Sequence, residues 1–397
     1  MAEDPENEAG LREIPASEIL DKIQKGESVE YDHVRIREYL NLSKLDLPAE
    51  HVARTEFQTN ILKLPAECKI VSSSIEITNS KFEGTVAFSN CLFRECVDLS
   101  GSTFNVVAFF SGAIFCRNAK FHGDAFSTVA FFNGATLGGN AFFDGAMFGG
   151  GPDFEGAMFS RETHFEGATF RGPTVFRGVT FRGLAAFNRA TFSEHAEFRG
   201  ATFSGFVYFM WAKFEGDFLT FRDTTFVFAK SQEDACRRAK NVLAKAGNRD
   251  EEEYHFYREM EAKRIQKGIR GNSGLGLGYW LKTETWSFWK FFLHDVIEYI
   301  FVQKIFGYGV HPYWLFGWWF AIVVTFAIIY WIKGGIEEPD AKQWFDYLWF
   351  SIATAATPGY ALYRPVGLFK FMAGIEAILG TFMWAAFITT FARKFSR

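Results

Sequence analysis

Apolar side chains in this chain follow two different rulers. From Ile77 to Leu219 aromatic residues recur at alternating gaps of five and six, as in Phe143, Phe148, Phe154, Phe159, Phe165 and Phe170. The period is therefore eleven. It divides the stretch into thirteen units whose first position is Phe eleven times and sixth position Phe twelve times, with Ile77, Leu99 and Leu137 filling the gaps. A small residue usually stands two before each ring, as Ala157 before Phe159, and Gly often takes the third position, as in FEGAMF and FRGATF. A helix cannot use this pattern, because steps of five and six scatter the rings around its axis and each interior Gly costs about 1 kcal/mol relative to Ala. A solenoid can, with one ring pointing inward from each short side and a corner turned on glycine. Four sides per coil give a constant 22-residue step, whereas three would alternate 16 and 17 and lose register. The spacing predicts a four-sided β-helix whose thirteen units over 77–219 make about 6.5 coils, roughly 31 Å long, in a domain 77–228.

Other patterns flank it. SEILDKIQKG from Ser17 predicts a capped helix ending at Gly26, part of an N-terminal helix and irregular cap over 1–76 that covers the open first coil. Short alternating pieces from Val34 to Ile77 look like imperfect opening coils. Over 229–282 the chain predicts a helical hairpin turning near Gly247, its first helix capped by Ser231 and its second by Asn248 or Asp250, followed by a flexible joint at Gly271–Gly278.

The last region, 283–397, obeys the second ruler. Ile305–Ile332 contains no Asp, Glu, Lys or Arg, and Tyr313–Ile332 supplies 20 residues, about 30 Å as a helix, enough to cross a bilayer. Tyr313, Trp314, Trp318 and Trp319 at one end, and Tyr330 and Trp331 at the other, read as interfacial belts. A second span runs from about Gly367 to Phe391. Two spans place both termini on one side, and Arg393, Lys394 and Arg397 with Lys282, Lys290 and Lys304 make that side cytoplasmic. Before the first span, Trp286–Phe306 carries one polar stripe (Lys290, His294, Asp295, Glu298), which favours an interfacial helix over a third span. Between the spans, Lys342–Ala356 is apolar but too short to cross, so it enters the bilayer and stops at irregular backbone, which is tolerated there only against protein or a water-filled cavity.

Two resemblances follow from these motifs. The A-x-F-x-G spacing over 77–219 resembles the pentapeptide-repeat family in its Phe-centred variant, which implies a right-handed four-sided β-helix. Some members of that family mimic DNA. Here 13 acidic and 11 basic side chains leave no dominant negative surface, so no nucleic-acid role is expected and a rigid binding scaffold is. His122, His164 and His195 sit at unlike unit positions and read as surface residues rather than metal ligands. Ser351, Thr354, Thr357, Gly359, Tyr360 and Pro365, in the pattern S-x-x-T-x-x-T-x-G-Y-x-x-x-x-P, resemble the two-transmembrane potassium-channel pore module, a likeness covering about Trp286–Arg397.

That second resemblance implies a homotetramer, with membrane lipid around it and a selectivity filter of Thr357, Pro358, Gly359, Tyr360 and Ala361. In such a filter the carbonyls of Thr357, Pro358, Gly359 and Tyr360 and the Thr357 hydroxyl face a dehydrated cation. Ser351, Thr354 and Glu376 are the expected supports of the pore helix and filter. The family's TVGYGD reads TPGYAL here. Pro358 removes a backbone N–H and fixes φ, Ala361 replaces a glycine at a left-handed position, and Leu362 removes a carboxylate at the outer mouth. The expectation is potassium permeation with relaxed selectivity over sodium. Glu376, a costly charge within a span, either hydrogen-bonds behind the filter, pairs with Lys370 or Arg364, or packs as a neutral acid. Gly374 and Gly380 are candidate gating hinges, with close helix packing the alternative. No Arg-rich sensor is present, so gating by voltage is expected to be weak.

Composition narrows the remaining classes. The 397 residues carry a net charge of −4, which gives no basic surface for nucleic acid, and the five cysteines include no CxxC. Reduced thiols are expected, with no metal and no cofactor other than permeant monovalent cations, potassium first. HExxH, GxSxG and P-loop patterns are absent from the sequence, so no enzyme is expected. The chain reads as a plasma-membrane cation channel with a cytoplasmic repeat module that binds a protein partner. The alternative is a non-conducting, membrane-anchored scaffold.

Overall fold

The computed structural model describes residues 11–267, 312–337, 343–356 and 363–395, in two compact units that divide at Gln266. The first unit is a β-solenoid of about 10 turns. Its strands are mostly two residues long and pair in parallel at the 22-residue step, as Phe104 on Phe126 and Phe126 on Phe148. They form sheets of nine, nine and eight strands, and a fourth face of four and three strands bridged through Asp153.

Two-residue strands persist because every coil hands its N–H groups to the next. Phe121 N donates to Phe142 O at 2.8 Å and Phe143 N to His164 O at 2.7 Å. Inside, like rings stack on like, with Phe121, Phe143, Phe165 and Phe187 separated by 5.0, 4.9 and 4.9 Å between centroids. Facing columns meet edge-on, as Phe132 on Phe143 at 90°. Both arrangements suit the ring quadrupole, so the core gains from geometry as well as from area. Glycine serves two ends here. Gly145 sits at φ +65° in a corner with open space beside it, whereas at Gly183 a Cβ would lie 2.5 Å from the Arg161 carbonyl carbon of the coil before.

The solenoid extends beyond the regular repeat at both ends. Arg12–Glu13, Val29–Asp32 and Val34–Ile36 join the same sheets, so coils begin well before Ile77 and exceed the 6.5 predicted. These opening coils, read from Val34 onward as imperfect, lack Phe: Val29, Val34, Ile36 and Leu40 fill the inward sites, and aliphatic side chains carry no aromatic ruler by which to count them. Arg35 stacks on Lys81, 46 positions on, because the chain leaves the coil for an excursion. There Ala49–His51 pairs antiparallel to Glu67–Cys68–Lys69, and Phe57, Leu62 and Leu64 lie along a column of corner glycines. A Cβ at Gly134 would stand 2.4 Å from Leu64 and one at Gly156 2.5 Å from Phe57. Gln58 Nε2 donates to Gly134 O at 2.9 Å and an Arg54 guanidinium N–H to Gly112 O at 2.8 Å, pinning this strap across the coils. At the far end a single extra residue in the last coil shifts the ladder by one, so Phe198 stacks on Phe221 and Phe203 on Phe226.

Helices close both ends. Helix α1 (Ala16–Lys25) ends on Gly26 at φ +73° and sends Ile19 and Ile23 into the core. It begins after Pro15 without a side-chain cap, and its Ala16 N–H donates to Glu38. After the last coil come α2 (Ala229–Ala246) and α3 (Arg249–Lys267), turning at Gly247. Ser231 does not cap α2: its Oγ accepts from Val207 N and so caps the solenoid backbone. Asn248 accepts from Glu251 N at the start of α3. From α3, His255 Nε2 accepts from Phe221 N at 2.8 Å and Tyr254 OH accepts from Asp223 N, satisfying donors with no further coil to meet. That bond and the His255 Nδ1 bond to Glu251 O fix the neutral tautomer, and burial pushes this imidazole below its ordinary value. All five cysteines are free.

The second unit holds α4 (Pro312–Lys333), α5 (Trp344–Ala356) and α6 (Phe369–Phe395). Helices α4 and α6 are long and apolar enough to cross a membrane. The glycine joint at 271–278, the stripe at 286–306 and the filter at 357–361 lie outside the described residues.

Candidate functional site

Helix α5 has 13 residues, about 20 Å at 1.5 Å per residue, shorter than the hydrocarbon layer of about 30 Å. It packs against both α4 and α6. Its buried face of Tyr347, Phe350, Ser351, Thr354 and Ala355 recurs at helical spacing, while Phe345 and Trp349 are exposed. The described residues on either side of 357–362 have defined places. On one side stands Ala356 at the end of α5. On the other, the Tyr363 hydroxyl donates to Asp346 in the first turn of α5 at 3.2 Å. A short antiparallel clip, Ile336 on Pro365 and Glu337 on Arg364, ties the strand after α4 to the strand before α6. The turn into it is made at Gly334, φ +62°.

Behind α5 lies a closed polar cluster in apolar surroundings. Glu376 of α6 is fully buried. The Tyr330 hydroxyl of α4 donates to Glu376 Oε2 at 2.8 Å. Ser351 Oγ of α5 is hydrogen-bonded to Glu376 Oε1 and also lies 2.8 Å from the Val323 carbonyl of α4. Three helices thus meet at one carboxyl, packed round by Phe326, Phe350, Phe369 and Ala373. Neither Lys370 nor Arg364 is its partner: both are exposed, and no ion pair to Glu376 occurs among the described residues. Of the three options the sequence left open, the ion pair does not occur among the described residues; hydroxyls engage the carboxyl instead, at far lower desolvation cost than a buried ion pair. Tyr330, assigned above to an interfacial belt, is fully buried instead. Its signal was weak because an aromatic residue at a helix end fits a belt equally well.

The remaining expected residues divide. Thr354 is buried, and its hydroxyl meets no hydrogen-bond partner among the described residues. At Gly380 a Cβ would stand 2.1 Å from the Ala355 carbonyl oxygen, so this glycine lets α6 touch the α5 backbone. At Gly374 a Cβ would meet nothing within 4 Å. Thr357, Pro358, Gly359, Tyr360 and Ala361 lie outside the described residues. The outer surface of the unit is apolar, with Tyr313, Trp314, Phe316, Trp331, Phe371 and Ile378 exposed.

In the solenoid, the three histidines differ in setting. His164 stacks on Phe142 one coil before, and stacking brings Asp144 and Glu166 near it, with candidate ligand atoms within 4.8 Å of one another. Glu166 already accepts from Asn188 and donates its N–H to Asp144, so ladder bonds along the column engage both carboxylates. His195 pairs with Asp217, and His122 lies beside Ser100. Each of these pairs joins adjacent coils and lies 22 residues apart, the step that the repeat predicts.

No curated protein and no solved structure matches the chain. Residues 154–202 match the family model for pentapeptide repeats (9 copies), and residues 317–397 match the one for ion channels. The chain thus joins a pentapeptide-repeat solenoid to a membrane region similar to potassium-channel-like ion channels.

Proposed function

We propose that this protein is a tetrameric, voltage-insensitive cation channel of the plasma membrane with both termini in the cytoplasm, conducting potassium with relaxed selectivity over sodium. The observation that carries this reading is α5: a helix too short to cross, wedged between two helices of spanning length and leading into Thr357–Pro358–Gly359–Tyr360–Ala361. Four such segments around one axis supply the ring of carbonyls that replaces a cation's hydration shell. The filter, its supports Ser351, Thr354 and Glu376, and a hinge at Gly374 belong to this proposal. So does the solenoid's role as a rigid surface for a cytoplasmic protein. Neither matched family is an enzyme family, and the reading includes no catalysis and no cofactor.

The departures Pro358, Ala361 and Leu362 favour a second reading, a membrane-anchored scaffold whose filter does not conduct. Liposomes bearing the purified full chain separate the two. A potassium flux abolished by Gly359→Asp supports the channel, and absence of flux across all applied tensions and voltages supports the scaffold. Reversal potentials in asymmetric potassium and sodium then measure the selectivity, and a ratio as high as that of strict potassium channels overturns the relaxed filter.

A further inference from the structure

The polar cluster behind α5 has more acceptors than its hydroxyl hydrogens can serve. The Val323 carbonyl oxygen accepts only, so the contact from Ser351 Oγ at 2.8 Å takes the single hydroxyl hydrogen of Ser351. The Tyr330 hydrogen goes to Glu376 Oε2. The hydrogen between Ser351 Oγ and Glu376 Oε1 then has one remaining source, the carboxyl itself. All three contacts coexist only when Glu376 is the neutral acid, donating through Oε1–H to Ser351 and accepting from Tyr330 on Oε2.

We propose that Tyr330, Glu376 and Ser351 form a proton-holding clamp that positions the pore helix, with Tyr330 and Glu376 as positioning residues for the filter. The proposal rests on the channel reading above for its effect on permeation but not for its chemistry. When Glu376 loses its proton to solvent, Ser351 must turn its hydrogen from the Val323 carbonyl to the carboxylate. The bond from α5 to α4 is then lost and the bond from α5 to α6 retained. The groups facing the carboxyl are hydroxyls from α4 and α5. Lys370 and Arg364 are exposed, and Asp346 is held at the other end of α5 by Tyr363. With no ion-pair partner among the described residues, the switch is set by this one proton.

Two substitutions in the intact protein test it beside the wild type, with potassium flux into liposomes read across about pH 5 to 9. In the wild type, flux falls as pH rises and the clamp opens. Glu376→Gln keeps both bonds, the amide N–H donating to Ser351 and the amide oxygen accepting from Tyr330, so the flux it carries is flat with pH. Tyr330→Phe takes the donor from Oε2, so its flux profile is displaced along the pH axis from the wild type rather than flat. Infrared difference spectra supply a readout independent of conduction: a protonated-carboxyl stretch present in the wild type and missing in Glu376→Gln. A wild-type pH profile in Glu376→Gln, or the absence of that band from the wild type, overturns the clamp. If no protein conducts but the band is present, the channel reading fails and the clamp stands.

Discussion

The solenoid and the pore unit bury polar backbone in opposite ways. In the solenoid the hydrogen bonds that join the coils are long-range, while local ones such as Ala113 N to Phe110 O close the corners. Phe143 N reaches His164 O, and each coil is held by the next through register. In the pore unit the backbone is satisfied inside each helix and at the clip of Ile336–Glu337 on Arg364–Pro365, and the polar contacts between helices are side-chain chemistry concentrated at Tyr330, Ser351 and Glu376. The difference shows in the glycines: corner glycines such as Gly145 turn the chain, while Gly380 lets two helices touch. One region is specified by repetition and the other by a few contacts, so single substitutions should act differently in each.

The largest effect is expected in the ring ladder. Phe165 is fully buried and stacks on Phe143 and Phe187, both at 4.9 Å, so Phe165→Ala removes a ring from the middle of a column. A loss of about 3–5 kcal/mol follows, because neighbours held by coil register cannot collapse into the space. Hydrogen exchange read by mass spectrometry on the intact protein checks it. Faster exchange should centre on the coils either side of Phe165 and leave α4–α6 unchanged; equal acceleration in the pore helices breaks the view of two independent units.

Repetition also decides what the sequence could reveal. Thirteen units with Phe at fixed positions make register readable, since each unit independently votes for the 22-residue step. The coils built on Val29, Val34, Ile36 and Leu40 cast no such vote, and the strap from Ala49 to Leu64 has no repeat partner. Its seating on Gly112, Gly134 and Gly156 depends on tertiary proximity alone. In the pore unit, α4 and α6 were readable because a bilayer imposes length and apolarity on them. Ser351 and Glu376 were readable as polar residues in apolar helices, but Tyr330 was not, since its partner lies 46 positions away on another helix.

A second prediction probes the two glycines of α6. Gly380→Ala drives a methyl group against the Ala355 carbonyl and should cost about 1–3 kcal/mol by forcing α6 off α5. Gly374→Ala meets nothing within 4 Å in the chain and should gain about 0.5–1 kcal/mol from helix propensity. Thermal unfolding of the detergent-solubilised protein, followed by circular dichroism, checks the opposite signs. Equal destabilisation by both would place a neighbour against Gly374.

The smallest effect concerns the solenoid's own buried carboxyl. Asp124 is as buried as Glu376 but has only half its partners: Oδ1 accepts from Ser102 N at 2.8 Å, and Oδ2 meets none. Burial pushes its carboxyl well above the ordinary carboxylate value. The folded state therefore holds this proton to higher pH than the unfolded chain does. The stabilisation is fully present below the unfolded value of about 4 and is lost as pH rises through the folded value, with a slope of at most about 1.4 kcal/mol per pH unit. Serine occupies the same column at Ser80 and Ser102, where Ser102 Oγ accepts from Ser80 N and donates to Ile77 O. Asp124→Ser should adopt that bonding, flatten the pH dependence of solenoid stability and raise it at neutral pH. Exchange protection of the neighbouring coils at pH 4 and 7, corrected for the intrinsic rate, measures the slope, and an unchanged slope in the variant removes Asp124 as its source. The comparison with Glu376 then has a chemical basis: two hydroxyls make a buried carboxyl part of the structure, while a single backbone N–H leaves one that the fold tolerates.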